Sequence, residues 1–128
     1  MKGYYQLKTT EDGKIHFTLH AGNHEIILSS QLYAEKSNAE NGMESTRTHG
    51  THEARYERKL SAKGEPYFSL KSQNGQLIGT SEMYSTETAR DNGIKSVQTN
   101  SPTTEIKDLT AMPIGLPRGA GDRKSTSE

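Results

Sequence analysis

Ile15, Phe17 and Leu19 alternate with His16, Thr18 and His20, and this period of two predicts a half-buried β-strand. Before it, Tyr4 to Thr9 is β-prone and has little helical periodicity. Between the two, Glu11-Asp-Gly13 supplies a turn in which Gly13 can take positive φ. Ala21-Gly-Asn-His24 makes a second turn, and Glu25 to Ser29 reads as a third strand, giving a meander. From about Glu35 to Thr48 the period becomes helical, with Ala39, Met43 and Thr46 on one stripe beside Gly42. Ser37 and Glu40 stand in capping-box spacing at its start.

The same pattern then returns, displaced by 51 residues and without a gap. Tyr56 answers Tyr5, Gly64 answers Gly13, Phe68 answers Phe17, Leu70 answers Leu19 and Asn74 answers Asn23. His49-Gly-Thr-His52 closes the first helix. Strands follow over Arg55–Ser61, Pro66–Lys71 and Gln76–Thr80, separated by turns at Ala62-Lys-Gly64 and Ser72-Gln-Asn-Gly75. Asn74-Gly75 is among the strongest hairpin signals a sequence carries. A second helix is expected over Thr86–Thr99, capped by Thr86 or Thr88 and carrying Ala89, Gly93, Ile94 and Val97 inward. Ser101-Pro102 halts it, and Thr104 to Leu109 can add a short last strand. Residues 111–128, rich in breakers and hydroxyls, read as a flexible tail.

Helical glycine costs about 1 kcal/mol relative to alanine, so its recurrence at Gly42 and Gly93 asks for a reason. Close approach of helix to sheet is one reason, and inheritance from the ancestral unit is the other. One copy alone buries too little to be stable. The expected architecture is therefore α+β: two tandem β3-α(-β) repeats, about 3–50 and 54–101, forming a single antiparallel sheet. Both helices pack on one face, and the whole is pseudo-twofold symmetric. Residues 1–110 make one domain, burying Phe17, Leu19, Ile27 and Met43 from one copy and Phe68, Leu70, Ile78 and Ile94 from the other.

Composition narrows the function classes. Sixteen basic and sixteen acidic side chains cancel, which removes the positive field that non-specific nucleic-acid binding and anionic membranes require. There is no cysteine, hence neither disulfide nor thiolate metal site. The longest apolar run, Ile26-Ile-Leu28, is far short of the ~20 residues of a membrane-spanning helix. The first residues, Met1-Lys-Gly-Tyr-Tyr-Gln-Leu, have no apolar signal core. The expectation is a soluble, cytoplasmic protein.

Several segments carry a likeness. Gly-Tyr-Tyr-Gln-Leu-Lys near the start, Phe17-Thr-Leu-His-Ala-Gly-Asn23, and Ser-Gln-Leu-Tyr followed by Glu-Asn-Gly-Met-Glu-Ser resemble the YegP-like family of small, mostly bacterial, uncharacterised proteins. Phe68-Ser-Leu-Lys-Ser-Gln-Asn-Gly, Ser-Glu-Met-Tyr and Asp-Asn-Gly-Ile-Lys-Ser-Val repeat the likeness in the second copy. It extends from about Gly3 to Thr110. The resemblance implies two β3-α-β motifs in one sheet, each giving its last strand to its neighbour, and it implies no known activity. Pro66 departs from the usual strand residue, and His24 stands where the second copy has Gly75.

Candidate chemistry is sparse. His16 and His20 share a strand face but lie about 13 Å apart, too far for one metal. His24, His49 and His52 could join them only through the tertiary fold. Glu11 with Asp12 and Glu40 with Glu44 fall on turns or an outer helical face, where charges are solvated. No nucleophile elbow, phosphate loop or zinc spacing is present. Tyr33 and Tyr84 precede the helices equivalently and read as anchors between helix and sheet. The remaining candidate is the sheet face left open by the helices, with His16, Thr18 and His20 from one copy and Tyr67, Ser69 and Lys71 from the other. The reading is a non-catalytic interaction or structural module without cofactor or metal. Its partner is a protein or a second copy meeting a sheet edge. The alternative is a single-stranded nucleic acid or polar ligand on the open face, which the balanced charge disfavours.

Overall fold

In the computed structural model, residues 3–110 are described. Strands β1 (Tyr4–Thr9), β2 (Ile15–His20) and β3 (Ile26–Ser30) precede helix α1 (Lys36–His49), and a 3-10 turn at Glu53–Arg55 leads into the second copy. That copy contributes β4 (Tyr56–Leu60), β5 (Pro66–Lys71), β6 (Leu77–Thr80), α2 (Glu87–Asn100) and finally β7 (Ile106–Asp108). All seven strands form one sheet in the order β4-β5-β6-β3-β2-β1-β7. The two copies meet along β3 and β6, where Ser29 pairs with Thr80. Those residues are themselves 51 apart, so the pseudo-twofold axis passes through their pair.

Local chemistry sets the elements. Gly13, Gly64 and Gly75 take φ of 86°, 81° and 84° in the three glycine turns, and His24 takes 73° in the fourth. Thr86 caps α2 by accepting from the Ala89 amide at 3.0 Å. The Ser37–Glu40 capping box does not form. The helix starts at Lys36, which puts Ser37 inside it, and Glu35 occupies the cap without a side-chain bond. Ser30 and Ser81 end their inner strands in the same way. Each hydroxyl takes the place of a ladder carbonyl and accepts from the amide of Phe17 or Phe68.

Both helices lie on one face, and the eight side chains expected inside join a single buried cluster with Tyr5, Leu7, Leu28, Tyr56 and Val97. Leu28 follows Ile27 inward because a bulge shifts the register after Leu19, and the same bulge after Leu70 turns Ile78 to the core. Gly42 and Gly93 mark close approach. A Cβ at Gly42 would stand 2.5 Å from the Tyr33 hydroxyl and 2.9 Å from Phe17, and one at Gly93 would meet Tyr84 and Phe68. Tyr33 and Tyr84 stack on Phe17 and Phe68 at 6.4 and 6.3 Å. The anchoring role expected for both tyrosines is what the packing shows.

The helix ends are tied across the repeats. Tyr5 donates to the Ser101 carbonyl at the end of α2 (2.7 Å), and Tyr56 donates to the Gly50 carbonyl at the end of α1 (2.6 Å). Burial pushes both phenols well above their usual range.

One feature departs from an antiparallel sheet. β7 pairs with β1 in parallel, so the sheet is mixed. From α2 the chain reaches the far edge, where β7 runs parallel to β1 and antiparallel to β6, the strand that enters α2. The first copy has no matching parallel strand, because the segment after α1 becomes β4 itself. Lys36 and Asp108 pair at 2.6 Å and fasten β7 to the start of α1. No helix among the described residues is long and apolar enough to cross a membrane. The tail expected over 111–128 lies outside the described residues.

Candidate interaction face

Opposite the helices, the strand registers align a polar row across the whole sheet. Lys107, Gln6, Thr18, Ser29, Thr80, Ser69 and Glu57 follow one another from β7 to β4. The row is symmetric about the Ser29–Thr80 pair, with Thr18 answering Ser69 and Gln6 answering Glu57. Alternation explains it: once Phe17, Leu19, Phe68 and Leu70 face the helices, the residues between them face away.

The six residues singled out from sequence all lie on this face, but as two groups. β3 and β6 stand between β2 and β5, three inter-strand steps or about 14 Å in all. Thr18, His20 and Ser69 are buried, whereas His16, Tyr67 and Lys71 are half-buried. Ser69 is 1 % exposed, and its hydroxyl has no partner among the described residues.

His20 is held rather than free. Its ring stacks on Tyr4 at 4.7 Å with 6° between planes. Nε2 is 2.9 Å from the Thr18 hydroxyl, and Nδ1 is 3.1 Å from the His24 carbonyl. An Nδ1-protonated ring satisfies both contacts, donating to the carbonyl and accepting from Thr18. The Tyr4 hydroxyl reaches His24 Nδ1 at 3.0 Å, and the Lys107 ammonium sits 4.3 Å from the Tyr4 ring centre. This cluster exists in the first copy only, since the second has Arg55, Lys71 and Gly75 at the places of Tyr4, His20 and His24.

On the other half, Lys71 lies 3.1 Å from the Glu57 carboxylate and Lys59 lies 3.4 Å from it. Those two ammonium groups, Lys71 foremost, hold the exposed Glu57 carboxyl below its usual range. His16 lies across from Lys8. Its burial and then the Lys8 charge lower its pKa, so it is neutral at pH 7.

Tyr4 and Lys107 were missed by sequence reasoning, whereas His24 was named there as able to join the other histidines only through the tertiary fold. Tyr4 was legible in principle, since it alternates with the buried Tyr5 and Leu7 and must face outward. Lys107 was not, because its place depends on β7 crossing the fold. His24 does meet His20, through its main-chain carbonyl, while His49 bonds to Ser45 within α1. Among the described residues no three His, Cys, Asp or Glu side chains stand close enough to share a metal ion.

Comparison with known proteins agrees with the repeat. A domain family described as a domain of unknown function (DUF1508) matches twice, over residues 11–57 and 61–108. A UPF0339 protein of Shewanella oneidensis is 53% identical over 110 residues, 86% of this chain and 100% of that protein. The Escherichia coli UPF0339 protein YegP is 44% identical over 110 residues, again 86% of this chain and 100% of the relative. The solution NMR structure of a Shewanella oneidensis UPF0339 protein superposes with a TM-score of 0.83 at 49% identity, covering 92% of this chain and all of the other. The solution NMR structure of Escherichia coli YegP, titled a protein of unknown function, gives a TM-score of 0.82 over 86% of this chain and 95% of the other.

Proposed function

Because the chain belongs to the UPF0339 family, whose repeated domain has no known function, we propose that it is a non-catalytic interaction module whose contact surface is the helix-free face of the sheet. The observation that carries this reading is the polar row from Lys107 to Glu57, which neither helix covers. In that row Lys107, Gln6, Ser29, Thr80 and Glu57 reach solvent, while Thr18 and Ser69 are buried. His16, Tyr67 and Lys71 flank the row with half-exposed rings and an ammonium, residue types that give contact area and hydrogen bonds together. The stacked Tyr4–His20 pair on the same face is already ordered, so a partner would not have to immobilise it. Near-zero net charge suits a partner of matched polar surface better than a polyanion.

The test compares proteins captured by the wild type, by a His16→Ala, Tyr67→Ala double variant, and by an Asn92→Ala control on α2. A specific partner retained by the control and lost by the double variant, at equal melting temperature, is the expected result. Equal capture by all three would count against this face.

A further inference from the structure

A second surface lies on the helix side, between α1 and the β5–β6 hairpin. It is a groove of about 510 Å³ that continues past Ser45 and Ser72 into a neighbouring recess of about 600 Å³. Both volumes fall in the range of small-ligand sites. A quarter of the chain is Asp, Glu, Lys or Arg, yet none of these lines either part of the groove. Carboxamides and hydroxyls line it instead, over a floor that includes Tyr33, Leu77 and Ile78.

Its polar groups are largely uncommitted. Gln31 donates to the Leu77 carbonyl at 2.5 Å, and Ser45 bonds with His49. The side-chain amides of Asn38, Asn41 and Gln76 are exposed and have no hydrogen-bond partner among the described residues. Each offers two donors and one acceptor oxygen. On α1 the spacing from Asn38 to Asn41 to Ser45 is i, i+3, i+7, which lines the three up on one face about 4.5 and 6 Å apart along the axis.

The other copy shows that this composition is not dictated by the fold. The equivalent positions beside α2 are Glu82 for Gln31, Ala89 for Asn38 and Glu25 for Gln76. Burial first, and then the charges of Glu82 and Glu25, raise the pKa of Tyr84 there, which places both carboxylates at that site. Carboxamides beside α1 thus stand where the α2 side has carboxylates, although the sequence positions correspond.

We propose that the neutral groove binds an uncharged, hydroxyl-rich ligand, namely a neutral oligosaccharide. A sugar hydroxyl both donates and accepts, and so does a carboxamide, whereas an ion would need countercharge that this groove lacks. Repeated amides along a helix match repeated sugar rings, and the half-buried Tyr33 ring can take the C–H face of one of them. An extended peptide is less well served. β3 covers β6 only at Gly79 and Thr80, and beside the groove the Leu77 carbonyl is already taken by the Gln31 amide, which leaves little strand edge for a peptide backbone to join.

The test is an NMR titration of the full-length, 15N-labelled protein with maltotriose, cellotriose and tri-N-acetylchitotriose, with glucose 6-phosphate and a Gly-Asn-Ser-Gly peptide as contrasts. At least one neutral trisaccharide should shift the side-chain amide signals of Asn38, Asn41 and Gln76 to saturation. An Asn41→Ala, Gln76→Ala double variant should weaken that binding about tenfold, as expected for the loss of two hydrogen-bonding groups. Asn92→Ala, the equivalent change on α2, should leave it unaltered. All three positions are exposed, and an unchanged amide fingerprint elsewhere verifies folding. Absence of saturable shifts with all three sugars overturns the proposal. So does sugar binding that survives the double variant, or a response to the peptide or phosphate alone.

Discussion

Gly50 and Ser101 are the same position in the two copies, and they touch. A Cβ built on Gly50 would lie 2.5 Å from the Ser101 Oγ. Gly50 has helical φ of −65°, so available space rather than backbone conformation demands glycine there. Leu28 and Gly79 repeat the relationship at the sheet, where a Cβ on Gly79 would lie 3.0 Å from Leu28 Cγ and 2.8 Å from the Ser29 carbonyl. Near the axis each side chain meets its own counterpart, and one of the two has been reduced to hydrogen. Gly50→Ala and Gly79→Ala are each expected to destabilise by about 1–3 kcal/mol in chemical denaturation. Adding Ser101→Gly should recover part of the first loss, since the Thr46 carbonyl also crowds that site. Full tolerance of both alanines would refute the account.

The cross-repeat tyrosines give a second expectation. Tyr5→Phe and Tyr56→Phe keep the T-shaped contacts with Phe17 and Phe68 but remove the bonds to Ser101 and Gly50. Each should cost about 1–2 kcal/mol, because a buried carbonyl loses its partner. Both act on the shared core, so a single cooperative unfolding transition should persist in each variant. A transition that splits in two would contradict the interdependence of the repeats.

Helix α1 approaches the sheet through Gly42. Gly42→Ala improves helix propensity by about 1 kcal/mol, yet the new methyl group meets Tyr33 and Phe17. Steric cost should win, for a net loss of about 1–2 kcal/mol. Replacing Tyr33 with Phe in that background removes the nearest atom, so a double-mutant cycle should show favourable coupling of at least about 0.5 kcal/mol. Strict additivity would show that the hydroxyl is not what excludes the methyl.

His16 supplies a pH dependence whose sign is fixed. Burial and Lys8 hold its folded-state pKa below the ordinary value of 6.5. The unfolded chain therefore binds the proton more readily, and the stability that His16 contributes is present above pH 6.5 and lost as pH falls through the window beneath it. Denaturation at pH 7.5 and pH 5 should show a smaller drop for His16→Asn than for the wild type. An equal drop would assign the pH dependence to other groups.

Much of this was legible in the alternation around Phe17 and Phe68, in Gly13, Gly64 and Gly75, and in the exact spacing of the copies. Residues 15–20 commit to one face with a regularity that only a strand satisfies. Leu28 was not legible as a core residue, because a bulge sends both Ile27 and Leu28 inward and strict alternation forbids that pair. Ser37 and Glu40 look like a cap by spacing, but the helix begins before them. The parallel sense of β7 depends on which edge of the sheet the chain reaches after α2, and a three-residue strand carries no sign of its direction. On the helix-free face, alternation gave the correct side for all six candidates. It could not say that two strands would stand between them, nor that His20 would be stacked and hydrogen-bonded.

β7 is the last of the described elements to be made, and it borders the first of them. Tyr5 donates to the Glu105 carbonyl, Leu109 donates to Leu7, and the Thr103 hydroxyl donates to Gly3. During synthesis, β1 must therefore wait with one margin bare until the ribosome has delivered roughly the hundredth residue and those beyond it. A nascent chain arrested before that point presents an unzipped border to its neighbours on the polysome, the kind of margin through which partly made chains stick together. The final stretch before residue 110 covers that margin of β1 and becomes the short outer strand of the sheet in its place.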